Sequence, residues 1–497
     1  MRKAPAIAIL GTGSEVGKSI VTTALCRILV KKGLRVAPFK AQNISNNSGV
    51  TPEGLEMGRA QIVQAEAAKI SPHVDMNPIL LKPTSDIGSQ IVLHGKVMTE
   101  NWASKPNDKK NVLFSKACNS LDRLRKAYDV IVMEGAGSCA EVNLMENDIV
   151  NFPMAEYADA PVVLISDIDR GGVFAQIIGT LACLSNKRQH MIKGFIINRF
   201  RGDLNLFKNG VNWLEEKTGK IVFGVIPWYD HFRIEAEDSV VIENPVSIST
   251  TEKDTPAIGV IRLPHISNFN DFDPLLNLKG IDVNFIEKPQ NLTNFKAIIL
   301  PGSKNTRWDL RWLKKIGWTD IIHKYCDAEG HVLGICGGYQ MMGRFVHDPN
   351  GLEGTPGTSK GLDILPVETV LKAPKTTTRT RFFWKNIEAT GYEIHMGETK
   401  RFSGNALFNI IERNLLPCQT EDGCEMSNSK FMGTYIHGMF DTPAIIKKWL
   451  KTMNLNHIDV PNRNRLEEKD MAYDLLAAHF ERHMSTNAIF DLILRRW

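Results

Sequence analysis

Short, unbroken apolar runs recur along the chain, and each is followed by a stretch long enough for a helix. In the first half they are "APAIAIL" (residues 4–10), "RVAPFK" (35–40), "VIVMEGAG" (130–137), "APVVLISD" (160–167), "GFIIN" (194–198) and "FGVIP" (223–227). Continuous apolarity, rather than alternation, marks strands covered on both faces. Strand–helix alternation of this kind predicts a doubly wound parallel sheet. Residues 235–256, "EAEDSVVIENPVSISTTEKDTP", break the pattern. They are polar and proline-punctuated and read as a linker with room for one strand. The alternation restarts with "AIGVIRL" (257–263), "VNFIE" (283–287), "KAIILPGS" (296–303), "HVLGIC" (331–336) and "KFMGTYIHGMF" (430–440), a second α/β domain. The expected division is 1–234, a linker over 235–256, 257–445, and a mainly helical extension over 446–497 that could pack on either domain.

The first run leads into "GTGSEVGKS", residues 11–19. A phosphate loop of the form G-x-x-x-x-G-K-[ST] would need glycine at position 12, where Thr12 stands; Gly17, Lys18 and Ser19 complete the rest. The loop lies between a strand and a helix, so backbone N–H groups of Thr12, Gly13, Ser14, Glu15, Val16 and Gly17 can face phosphates at a helix N-terminus. Lys18 would reach the outer phosphates and the Ser19 hydroxyl would bind Mg²⁺. Glu134 ends a buried strand at the mouth where open α/β sheets bind ligands, and its carboxylate suits the same cation. "DIDRGG" (167–172) ends another strand, and its carboxylates could reach the metal or order a loop.

"HVLGICGGYQMMG" (331–343) reads as strand, sharp turn, helix. A glycine-flanked turn exposes Cys336, and the helix N-terminus that follows favours its thiolate. The backbone N–H of Gly337 could serve an oxyanion hole, with a second donor at Gly302 or Ser303, where "AIILPGS" ends. His437 in "GTYIHGMF" stands at another strand end and is available as general base.

Composition narrows the setting. The 497 residues are 43% hydrophobic and 23% charged, enough for two or more globular domains. A net charge of +5 is too small for this length to indicate a nucleic-acid binder. No apolar run approaches the roughly 20 residues that span a bilayer. The N-terminal basic residues and apolar run are too short for a signal peptide, so the chain reads as cytoplasmic. Eight scattered cysteines without a CxxC pair fit a reducing compartment and give no zinc signature.

The variant loop and the strand ends resemble the dethiobiotin synthetase family of P-loop enzymes, in which ATP phosphorylates a substrate carboxylate. That resemblance assigns residues 12–19 to phosphates, Lys40 to the reacting phosphate region, Glu134 to Mg²⁺ and Asn198 to adenine. The cysteine elbow, the PGS strand end and the late histidine resemble a flavodoxin-like class I glutamine amidotransferase domain. Its usual third member, a Glu two residues after the histidine, is replaced by Met439, a departure shared by the cobyrinate branch. The group that orients His437 is therefore unassigned.

An ordered set of phrases, "PFKAQNISNNS" (38–48), "DIVNFPMAE" (148–156), "DIDRGGVFA" (167–175), "NRFRGD" (198–203), "LPHISNFNDFDPL" (263–275), "LPGSKNT" (300–306) and "GYEIHMGET" (391–399), resembles the corrinoid amidoligases of cobalamin biosynthesis over nearly the whole chain. The resemblance implies ATP, Mg²⁺, glutamine and a corrinoid as the small molecules bound. It implies amidation of the b, d, e and g carboxylates of adenosylcobyrinic acid a,c-diamide. The related enzyme that amidates positions a and c is the nearest alternative. A P-loop partition or regulatory ATPase is a second, with no use for Cys336 and His437. A third would make the C-terminal half a non-catalytic interaction domain, with free ammonia as donor. Asp148 would lie near substrate or metal, or simply cap the helix that follows. Arg199 and Arg201 would bind corrin carboxylates, or decorate a loop. His395 is expected to be structural.

Overall fold

The computed structural model describes residues 3–85, 88–98, 106–229, 234–235, 255–462 and 465–494. Six parallel strands form the first sheet: β1 (Ala6–Gly11), β2 (Val36–Phe39), β3 (Val130–Glu134), β4 (Val162–Asp167), β5 (Ile192–Phe200) and β6 (Ile221–Pro227). Their order is β6-β5-β4-β1-β3-β2. Both faces are covered, as the unbroken apolar runs require. Ile7, Ile9, Val163 and Ile165 pack with Val21, Leu25 and Ile28 of helix α1 (Lys18–Lys31); Ala8, Leu10 and Leu164 pack on the opposite side with Leu121 and Phe152. Ile9 pairs in register with Glu134, so the acid ends its strand beside the loop that leaves β1.

Between β2 and β3 the chain inserts a smaller sheet, built from Gln42–Ile44, Ile79–Ser85, Gly88–Leu93 and Lys96–Val97. A hairpin of Ser48–Val50 and Glu56–Gly58 accompanies it. This insertion contacts the second domain, where Lys375 pairs with Glu56 and Asn268 donates to Ser48 O.

The second sheet contains β7 (Ala257–Ile261), β8 (Asp282–Ile286), β9 (Phe295–Leu300), β10 (His331–Ile335), β11 (Cys424–Met426) and β12 (Phe431–Thr434), in the order β8-β7-β9-β10-β12-β11. All neighbours are parallel except β11 with β12. A five-stranded antiparallel sheet follows the cysteine helix; it includes Thr376–Trp384, Ile387–His395 and Ile436–His437. The run 430–440, expected as one strand, is thus divided between two sheets. The division has a local cause. The backbone N–H of Tyr435 turns to the buried Asp422 carboxylate at 3.3 Å, and Ile436 N–H to the Thr434 hydroxyl at 2.9 Å. His437 then pairs with Tyr392 in the antiparallel sheet.

The extension expected over 446–497 is helical among its described residues and packs partly on each domain. The boundary falls inside the helix Pro443–Thr452, whose Ile445, Ile446, Trp449 and Leu450 belong to the second domain's core. Helix α2 (Arg465–His483) instead lies on α1 through Leu476 and Phe480, and Ile489 and Leu492 join the same core. Of the linker, 236–254 lie outside the described residues, and so does any strand within them. Glu235 is buried against Arg59, Arg465 and Lys469.

Candidate active site

The loop after β1 closes on itself through left-handed residues. Glu15 has φ 58° and Gly17 φ 98°, and a Cβ on Gly17 would fall 2.0 Å from the Asn198 amide nitrogen. Only glycine fits there. Thr12, in place of the usual glycine, donates its N–H to Ile165 O at 2.9 Å and its hydroxyl to Ser166 Oγ at 3.0 Å. The Lys18 ammonium donates to the carbonyls of Gly13 and Gly137, each at 2.8 Å, so it is held over the loop from β1 and the loop after β3. Glu134 is buried and accepts from the Ser19 hydroxyl at 2.8 Å, from Lys40 Nζ at 2.9 Å and from the Gln64 amide. Burial opposes its ionisation, but the Lys40 ammonium and these donors hold its carboxyl below the usual range. Ser19 and Glu134 together present a hydroxyl and a carboxylate at a helix N-terminus. An oxygen-only pair fits a hard cation such as Mg²⁺, which completes its shell with water and phosphate oxygens.

The cysteine lies in the second sheet's equivalent position. β10 runs into a helix over Gly337–Met342, and Cys336 sits between them at φ 52°, ψ −108°. A non-glycine residue held in this region is strained and is aimed away from both elements. The turn requires its glycines: a Cβ on Gly338 would lie 1.9 Å from Leu300 O, and one on Gly337 2.8 Å from Ser303 N. That close approach brings Gly302, Ser303 and Gly337 to one side of the cysteine. Buried Asp309 fixes the short strand Gly302–Ser303 by accepting from the Ser303 hydroxyl at 2.6 Å, and it also holds the His265 ring at 2.8 Å.

His437 is buried beside Cys336, and its ring is stacked on Tyr392 with centroids 5.3 Å apart; the Cys336 thiol itself donates to Ile394 O at 3.4 Å. Its Nδ1 lies 2.6 Å from the carboxylate of Asp271, whose other oxygen accepts the Gly438 N–H at 2.9 Å. Asp271 is therefore the third member that the sequence left unassigned. Met439, at the position of the usual Glu, is packed in the core. Burial of His437 disfavours the cation, but Asp271, followed by Cys336, outweighs it and pushes the imidazole up to about 10. A cysteine beside a histidine with an orienting carboxylate is the arrangement of an amide-cleaving nucleophile. Cys336, Ser303, Gln340 and His395 line one cavity of about 230 Å³, sized for an amino acid and too small for a corrin.

The chain matches two family models: residues 7–241 a CobQ/CobB/MinD/ParA nucleotide binding domain, and 257–445 a CobB/CobQ-like glutamine amidotransferase domain. It is 47% identical to a cobyric acid synthase of Chlorobaculum tepidum, over 98% of this chain and 97% of that one. The chain belongs to the cobyric acid synthase family. A Chlorobium chlorochromatii member is likewise 47% identical, over 98% and 96% of the two chains. One from Syntrophobacter fumaroxidans is 42% identical over 99% of both. Cobyric acid synthases are glutamine-dependent amidoligases, which accords with a P-loop domain and a cysteine elbow in one chain. Among the described residues no helix is long and apolar enough to cross a membrane.

Other residues singled out in the sequence have local partners. Asp148 caps the turn before the helix Phe152–Ala158, accepting from Val150 N–H at 2.7 Å and Asn151 N–H at 3.1 Å. Arg199 pairs with Asp167 at 2.8 Å; Arg201 pairs with Asp169 at 2.6 Å and lies over the Trp228 ring. These contacts order the strand-end loops, so nothing in the geometry assigns the three to substrate or the aspartates to a metal. Asn198 uses its amide nitrogen on Val16 O at 3.0 Å, bracing the phosphate loop. His395 is stacked on Tyr435, lies 3.4 Å from the Glu393 carboxylate and also lines the Cys336 cavity.

Proposed function

We propose that the chain makes adenosylcobyric acid, using ATP and glutamine to amidate the b, d, e and g carboxylates of adenosylcobyrinic acid a,c-diamide. The observation that carries the reading is the pairing, in one chain, of a phosphate loop with a Cys336–His437–Asp271 triad. Amide synthesis needs both: a carboxylate is a poor acyl donor until it is phosphorylated, and ammonia at neutral pH is mostly protonated unless generated where it is used.

Residues 12–19 cradle the phosphates of ATP. Lys18 and Lys40 lie where charge develops on the transferring phosphoryl group, and Asn198 braces the loop while its oxygen remains available to adenine. Ser19 and Glu134 would hold Mg²⁺, which neutralises charge on the phosphates when bound. In the other site the Cys336 thiolate attacks the side-chain amide carbon of glutamine, and the backbone N–H groups of Ser303 and Gly337 face the developing oxyanion. His437, kept protonated by Asp271, gives its proton to the departing ammonia and leaves a γ-glutamyl thioester. It then takes a proton from the attacking water, and collapse of the resulting intermediate releases glutamate and returns the Cys336 thiolate beside the protonated His437. Ammonia attacks the acyl phosphate, forming the amide and expelling phosphate.

Product analysis tests the assignment of positions. Purified chain supplied with the a,c-diamide, ATP and glutamine is expected to yield amides at b, d, e and g. No reaction with that substrate, and amidation of cobyrinic acid at a and c instead, would reassign the chain to the related diamide synthase.

A further inference from the structure

The cavity around Cys336 is not enclosed by the amidotransferase domain alone. One of its walls is Lys82, from the strand Ile79–Ser85 inserted in the nucleotide-binding domain. Lys82 is buried. Its ammonium donates to Glu56 at 2.7 Å and to the Ser48 hydroxyl at 2.8 Å, and Glu56 in turn accepts from Lys375 of the second domain at 2.7 Å. A third lysine, Lys304, directly after Gly302–Ser303, lines the same cavity; Glu353 and Glu56 favour its cation, but neither forms a hydrogen bond or ion pair with it among the described residues. Two of these ammonium groups, those of Lys375 and Lys82, hold the Glu56 carboxylate well below the usual range against the cost of its burial, while Lys304 stands beside them on the cavity wall with Glu353. The lysines remain short of negative charge. Burial pulls Lys82 down to about 7 despite Glu56, and burial with Lys375 nearby pulls Lys304 down to about 8. A buried cation in this condition gains strongly from an added anion.

We propose that the glutamine site is shared between the two domains, with Lys304 and the nucleotide-binding domain's Lys82 receiving the α-carboxylate of glutamine while Cys336 receives its side-chain amide. The inference rests on the glutaminase reading of Cys336 and deepens it. It also accounts for the insertion between β2 and β3, because the segment that brings Lys82 to the cavity supports the triad as well. Ser48 O accepts from the Asn268 amide at 2.8 Å, and Asn47 bonds to Asn270, on the turn that carries Asp271. Glutamine binding and triad geometry therefore both depend on how the domains meet.

The test compares two amide donors on the full chain: L-glutamine and 4-aminobutanamide, which is glutamine without its α-carboxylate. Ammonia release is followed for the wild type, Lys304→Met and Lys82→Met. The wild type is expected to prefer glutamine by about 10- to 100-fold in kcat/KM, the worth of one or two charge-assisted hydrogen bonds. In both variants KM for glutamine should rise by a similar factor while kcat/KM for 4-aminobutanamide barely moves, so the preference collapses. Lys304 stands outside the Glu56 ion pairs, so Lys304→Met keeps the test decisive if Lys82→Met folds poorly. An undiminished preference in Lys304→Met, or an equal loss with both donors, would overturn the proposal. A wild type that amidates with ammonium salt but releases no ammonia from glutamine would instead overturn the glutaminase reading, and this inference with it.

Discussion

The phosphate site and the glutamine site sit at corresponding ends of two parallel sheets, yet they are assembled in opposite ways. The first is mostly one run of eight residues, Thr12 to Ser19, joined by Glu134 from the adjacent strand and Lys40 from the next. The second draws its parts from across the chain: the elbow at Cys336, the short strand at 302–303, His437 on an antiparallel strand, Asp271 on a 3-10 helix 166 positions before it, and Lys82 from the other domain. A site built from contiguous backbone tolerates small domain movements. One assembled across an interface is sensitive to them, and this is where nitrogen release can be matched to the demand for it.

Damage to the contiguous site should therefore act on amidation whatever the nitrogen source. Lys18→Ala is expected to lower ATP-dependent amidation by about 10³-fold with glutamine or ammonium salt alike, the usual effect of removing a group that stabilises transition-state charge. A loss confined to glutamine would break the comparison. Damage to the dispersed site should be selective. Asp271→Asn is expected to reduce glutamine-driven turnover by about 10²-fold or more in kcat, with little change in KM, while ammonium-driven amidation persists. Equal kcat in the variant would remove Asp271 from the triad.

The same carboxylate has a smaller signature in stability. His437 is raised in the folded chain to about 10, against about 6.5 for a free imidazole. A raised histidine stabilises the fold fully below about pH 6.5, and that contribution is lost as pH climbs towards 10. Melting temperature should decline over this interval in the wild type and more shallowly in Asp271→Asn, as differential scanning fluorimetry across pH would show. Least affected should be Arg201→Ala. Its pair with Asp169 is half-exposed, so its removal should cost at most about 1 kcal/mol by urea titration and leave turnover within twofold.

The difference in assembly also decides what could be read from the sequence. Strand, glycine-rich turn and helix are local, so the phosphate loop and the cysteine elbow declared themselves through spacing, and unbroken apolar runs announced both sheets. His437 was legible from its place at the end of an apolar run, although that run is split between two sheets by the Asp422 side chain. Asp271 was not legible. It stands in "NFNDFDPL" beside a second aspartate, Asp273, and nothing in that stretch says which one meets a histidine on a distant strand. The absence of a carboxylate at Met439 was the one signal that a partner had to come from elsewhere. Lys82, within the apolar "ILLKPTS", reads as a strand residue, and only its burial against Glu56 reveals a constrained charge. For Asp148, Arg199 and Arg201 the sequence left a substrate contact and a local role equally open, because short-range caps and ion pairs use the same residue types; the structure shows the local partners.

The central claim is a division of labour: Cys336 releases ammonia and the phosphate loop activates the carboxylate. It is tested most directly by measuring ATP-dependent amidation with glutamine and with ammonium salt, side by side, in the wild type and Cys336→Ser. The account predicts that the variant loses glutamine-driven amidation and retains the ammonium-driven reaction. Equal loss with both donors, or undiminished use of glutamine, would contradict it.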